Sequence, residues 1–193
     1  MTSEFNSSTQ CDDHVMTSIL QAMQDTDEHA LNLLNDKLAN WPLDYRLWFL
    51  RGAVHAGQQR HGEARTDFVQ AITLAPEFHV ARFMLGLLEL MNTRVAEATA
   101  TWSLLDRLPE NDPLRVLKEG LVSLSLDHFD LAHEQLNRGL ALNQQYRLVN
   151  AYVRAVIGQI EARAKPDSSA ASLTDSQVNH LLLSGYQGNQ TRH

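Results

Sequence analysis

Apolar residues recur at steps of three and four through most of the chain, the period of a helix that buries one face. Val15, Met16, Ile19, Leu20 and Met23 mark a first helix from Asp13. Ala30, Leu31, Leu33, Leu34 and Leu38 mark a second, which ends near Trp41-Pro42. From Tyr45 to Tyr146 the pattern then repeats every 34 residues. Gly52, Gly86 and Gly120 fall in step, as do Ala64, Ala98 and Ala132, and Phe68, Trp102 and Leu136. Ala71, Leu105 and Gly139 form a further register, and Leu74, Leu108 and Leu142 another. A fixed period of this size is the mark of stacked repeats.

The spacing has a packing reason. Two antiparallel helices in one unit approach closely only where small residues meet, so Gly52 on a first helix and Ala64 on a second belong at their crossing. Glycine inside a helix costs about 0.5–1 kcal/mol relative to alanine, and its recurrence at the same place calls for such a contact. Asp44 is placed to cap the first helix of repeat one, and Asp112-Pro113 opens repeat three as an N-cap followed by proline. Internal turns are expected at Gln58 to Gly62 and near Asn92-Thr93. Pro76 closes repeat one, Pro109 comes one residue early in repeat two, and repeat three has Gln144 where a proline is expected.

Stepping back one period aligns Ala30, Leu34 and Pro42 with Ala64, Phe68 and Pro76, and puts Ser18 where Gly52 stands. Residues 13–44 therefore read as a degenerate helical pair, and residues 1–12 as a disordered N-terminus. Arg147 to Ala164, with Val149, Tyr152, Val153, Val156, Ile157 and Ile160, reads as a capping helix. Residues 165–173 are a linker by composition. Thr174-Asp175-Ser176-Gln177 forms a capping box ahead of Val178, Leu181, Leu182 and Leu183, so residues 174–193 hold a short amphipathic helix and a tail.

Trp48, Gly52, Ala64, Phe68, Ala71 and Pro76 sit where the tetratricopeptide repeat (TPR) pattern wants them, and the 34-residue unit resembles that family over about half the chain. The resemblance implies an all-α fold: a right-handed α-solenoid of TPR helix-turn-helix repeats with a C-terminal capping helix. It also implies a concave surface lined by the first helix of each repeat. The matching positions are Arg46, Phe49, Ala53 and Ala56 in repeat one, Val80, Phe83, Leu87 and Leu90 in repeat two, and Leu114, Leu117, Leu121 and Leu124 in repeat three. Some family members clamp a terminal carboxylate with Lys, Asn and Arg at such places. Here only Arg46 is basic, which disfavours a carboxylate clamp and favours an apolar helix as the ligand. Some of these leucines could equally be ordinary core between repeats, because a helix inside a stack is buried on more than one side.

Charge and chemistry narrow the reading further. The net charge of −7 is carried by residues 1–44, with −2 over 45–146 and +2 over 147–193, so no basic stripe offers itself to nucleic acid. No run of residues approaches the roughly 20 apolar positions of a membrane span. The polar N-terminus does not read as a secretory signal, and one cysteine, Cys11, fits a reducing, cytoplasmic setting. Nine histidines are scattered without a metal-ligand spacing, and His133-Glu134 is followed by Asn137 where a zinc-protease motif needs a second histidine. No catalytic residue, cofactor or metal site is expected. The leading reading is a non-enzymatic scaffold or adaptor that holds a protein or peptide partner, an apolar helical segment, in the groove. The alternatives are a bacterial secretion-type chaperone sheltering apolar client segments, and an enzyme or metal-binding protein that uses the histidines. The C-terminal apolar segment could fill the groove itself, or two chains could cover each other as a homodimer.

Overall fold

The computed structural model describes residues 9–164. Residues 1–8 and 165–193 lie outside the described residues, and with them most of the N-terminal stretch, the expected linker and the amphipathic tail segment. Regular structure among the described residues is helical throughout. One unit, up to Phe78, contains α1 (Asp13–Asp25), α2 (Asp27–Asn40), α3 (Tyr45–Gly57) and α4 (His61–Leu74). A second, from His79, contains α5 (His79–Met91), α6 (Val95–Trp102), a 3₁₀ helix (Ser103–Arg107), α7 (Pro113–Ser125), α8 (Phe129–Leu142) and α9 (Arg147–Ala164). The helices pack as successive hairpins, α1 with α2, α3 with α4, α5 with α6 and α7 with α8, and α9 lies on α8.

The glycine register marks the tightest crossing of each hairpin. A Cβ on Gly52 would come within 2.8 Å of the Phe68 ring, and one on Gly120 within 2.8 Å of Leu136. At Gly86 it would overlap the indole of Trp102. The small residues of the second helices, Ala64, Ala98 and Ala132, are buried beside them, and so are Phe68, Trp102 and Leu136. Each glycine makes room for the large side chain of its own repeat.

The three hairpin turns share one conformation that the sequence does not announce. Three residues link the helices each time, and the middle one is left-handed: Gln59 at φ 59°, Thr93 at φ 60° and Asp127 at φ 59°. Glycine would be the ordinary choice at a positive φ, yet Gly62 sits in the first turn of α4. The residue after each left-handed one, Arg60, Arg94 or His128, donates its amide to the carbonyl of His55, Glu89 or Ser123 at 2.9, 2.9 and 3.0 Å. These backbone bonds close the end of the first helix.

The first hairpin departs from this scheme. Thr26 alone connects α1 to α2, serving as C-cap of one and N-cap of the other, with its hydroxyl accepting from the His29 amide at 3.2 Å. Ala30 and Leu34 are fully buried, like Ala64 and Phe68 one period on. Ser18, however, is not buried as Gly52 is. It is half-buried, its hydroxyl donates to the His14 carbonyl at 3.0 Å, and Ile19 and Ala22 carry the buried face. A one-residue link leaves no room for the three-residue, left-handed turn of the other hairpins.

The repeat ends are closed in three ways. Ala75 precedes Pro76 as the C-cap of α4. In repeat two the second helix tightens to 3₁₀ after Trp102, and Leu108 turns extended before Pro109, as a residue preceding proline must. In repeat three the work of the missing proline falls to an asparagine clasp. Buried Asn143 accepts from the Tyr146 amide at 3.0 Å and donates to Asn150 Oδ1 at 2.8 Å, while Asn150 donates back to the Asn143 carbonyl at 3.0 Å. The clasp fixes the start of α9.

Candidate protein-binding face

Each residue assigned to the first-helix face is placed by its own unit. In the first unit Phe49 and Ala53 are half-buried on α3, and Ala56 is buried. The Phe49 ring meets Phe78 edge-on at 5.1 Å and Phe68 at 5.9 Å, and Tyr45 meets Phe78 at 4.8 Å. An aromatic cluster therefore surrounds the middle of this face.

Arg46 is not a free cation. Its Nε and Nη2 donate to the two carboxylate oxygens of fully buried Asp44 at 2.9 and 2.7 Å, and Nη2 also donates to the Cys11 carbonyl at 2.6 Å. The Cys11 amide in turn donates to Asp44 Oδ2 at 2.9 Å. Asp44 thus caps α3, neutralises Arg46 and anchors the segment before α1. Burial alone would raise the Asp44 pKa, but the bonds from Arg46 and the Cys11 amide outweigh it and hold it below the usual value. Burial, reinforced by the neighbouring Asp44 carboxylate, pushes the Cys11 thiol up to about 11.

In the second unit most of the expected face is core. Val80, Phe83 and Leu87 on α5 and Leu114, Leu117 and Leu121 on α7 are all buried. Phe83 stacks on Trp102 at 6.0 Å, and Leu117 fills the space against Gly139 on α8. The physical reason lies in α5, which is buried continuously from Phe83 to Glu89. A helix that is apolar all round has neighbours on more than one side. Only Leu90 and Leu124, near the ends of their helices, remain half-buried. Beside them in the chain, Met91 is 45% exposed and Leu126 59% exposed.

One polar register escaped the sequence reading. His55, Glu89 and Ser123 are all buried, one period apart, each three residues after the crossing glycine. Each faces a polar residue twelve positions later on the second helix. Thr101 donates to Glu89 at 2.7 Å and Ser123 to Gln135 Oε1 at 2.7 Å, while His55 Nε2 lies 3.7 Å from Asp67 Oδ2. Asp67 is held mainly by Arg51, which donates to it at 2.9 and 2.7 Å, reaches Asn35 on α2 at 2.7 Å and lies 4.7 Å from the Trp48 ring centre. Burial lowers the pKa of His55, against the opposing pull of Asp67. A polar residue recurring at a fixed offset inside an apolar stripe is the signal that would have found this row.

Among the described residues no group of three His, Cys, Asp or Glu side chains could hold a metal ion, and no helix is long and apolar enough to cross a membrane. His133 instead pairs with Glu161 at 3.1 Å on the surface of α8 and α9.

No protein-family model matches the sequence, and no curated protein sequence is significantly similar to it. Solved structures do match. MamA from Desulfovibrio magneticus RS-1, residues 41 to the end, superposes with a TM-score of 0.55 at 13% identity over 92% of this chain and 96% of that one. A MamA RS-1 double mutant gives a TM-score of 0.55 at 14% identity, over 90% and 91% of the two chains. PilF from Pseudomonas aeruginosa gives 0.55 at 18% identity, over 93% and 82%. These are TPR-repeat proteins, and the likeness establishes that the present chain has the TPR fold.

Proposed function

We propose that this TPR-fold chain is a non-enzymatic adaptor that holds an apolar helical segment of a protein partner against the first helices of its repeats. The observation that carries this reading is the apolar character of those positions, with a half-buried remainder at Phe49 and Ala53 in the first unit and at Leu90 and Leu124 in the second, where Met91 and Leu126 nearby in the chain are exposed. A fully buried Leu or Phe contributes about 1.5–3 kcal/mol, so a partner that covers these side chains gains from each. Within the second unit, buried Val80, Phe83 and Leu87 on α5 and Leu114, Leu117 and Leu121 on α7 are the packed part of the helices that present Leu90 and Leu124. Arg46 shapes the face as part of the Asp44 clasp rather than as a carboxylate receptor.

Burial decides which substitutions test this. Asp at Leu87 or Leu121 would place a charge in the core and unfold the unit, so it cannot separate binding from folding. Leu90→Asp/Leu124→Asp introduces the charge where side chains remain partly open. With helicity by circular dichroism matched to the unmodified chain, the double variant is expected to lose partners that the unmodified protein retains. A folded variant that keeps every partner with unchanged affinity rejects this face as the binding site.

A further inference from the structure

The Arg51–Asp67 bridge has a buried bystander that it does not need. Asp67 is 2% exposed and already takes two bonds from Arg51. His55 beside it is 8% exposed, its Nε2 stands 3.7 Å from Asp67 Oδ2, and its Nδ1 is buried with no hydrogen-bond partner among the described residues. Buried polar atoms are almost always bonded, and an exception asks for a reason. A neutral imidazole gains little here. A protonated one would present a charge and two donors next to a carboxylate.

We propose that His55 is a proton-operated latch: on protonation it draws Asp67 toward itself and loosens Arg51 from its bridge. The groups that face it set the balance. Asp67 and Glu63 on α4 attract the imidazolium, and Arg51 on its own helix and Arg60 in the turn oppose it. On α2, Asp27 accepts from the side chain of Gln58 at 3.2 Å, in the turn that follows His55. Asp67 is also the residue closest to the α3–α4 crossing after Phe68, its Cβ 3.1 Å from where a Cβ on Gly52 would stand. Arg51 links three helices, through Asp67 on α4, Asn35 on α2 and its own place on α3. Loosening it therefore acts on the helix that carries Arg46, Phe49 and Ala53. Protonation is resisted by the burial of the ring, so the latch stays closed at neutral pH and opens on acidification.

The test is NMR on the full chain, following the His55 ring and the Arg51 Nε–H resonance between pH 8 and pH 4.5. The expected result is that both move with one shared midpoint below 6.5, and that the Arg51 change vanishes in His55→Gln and in His55→Phe. Two results overturn the latch: His55 titrating while Arg51 Nε–H stays still, or Arg51 moving with the same midpoint in both variants. If one variant fails to fold, the other decides, and the wild-type correlation between the two resonances stands as a second measurement.

Discussion

Trp102 occupies the space that a side chain on Gly86 would need, and its indole N–H donates to the Phe83 carbonyl at 3.0 Å. The glycine and the tryptophan are therefore one feature, read at two places in the sequence. Gly86→Ala forces the ring off its bond, whereas an added Cβ on Gly158 of α9 meets nothing within 4 Å among the described residues. Gly86→Ala is expected to destabilise by about 1–3 kcal/mol, the usual range for overpacking. Gly158→Ala is expected to stabilise by about 0.5–1 kcal/mol through helix propensity alone. Urea denaturation of the two variants side by side measures both signs.

The left-handed turns yield a second expectation. Thr93 is β-branched at φ 60°, the worst of the three occupants, although its hydroxyl reaches the Asn92 carbonyl at 2.7 Å. A non-glycine residue held there costs on the order of 1–3 kcal/mol. Thr93→Gly should raise the melting temperature, and by more than Asp127→Gly, because aspartate tolerates this region better. Equal effects at the two positions would show that side-chain branching does not matter at this turn.

Acid should weaken the first unit in two separate windows. The folded pKa of His55 lies below 6.5, so the unfolded chain takes up the proton first, and stability is lost as pH falls below about 6.5. The folded pKa of Asp44 is also lowered, so its contribution is intact above about 4 and is lost only as pH falls further. Urea midpoints measured from pH 8 down to pH 3 should show both declines. His55→Gln should abolish the first and leave the second.

Cys11 gives a local probe of the Asp44 clasp, because it is the sole thiol of the chain. With its pKa at about 11 rather than the ordinary 9.0, its thiolate fraction at pH 8 is about 100-fold lower than that of a free cysteine. Labelling by a thiol reagent should be slowed by at least that factor, since burial adds to it. Arg46→Ala removes a bond to the Cys11 carbonyl and should speed labelling well beyond any change in global stability. A rate that tracks unfolding alone would show that the clasp does not hold this segment.

Much of this architecture is legible in the residues themselves. Glycine, alanine and a bulky partner recurring every 34 positions specify paired helices and where they cross, because close approach and volume are local demands that particular side chains must meet. Asp44 and Asp112 as helix caps follow from the same local logic, and both accept the expected amides. Other features depended on what the folded chain brings together. Whether Phe83 and Leu117 line a surface or fill a core turns on how many neighbours their helices have, and periodicity cannot count neighbours. Arg46 reads as an open cation until Cys11 and Asp44 close around it from 35 and 2 residues away. The row of His55, Glu89 and Ser123 looks like scattered polarity until α4, α6 and α8 supply Asp67, Thr101 and Gln135. A linear pattern states what each side chain wants, and only the packed helices decide which partner answers it.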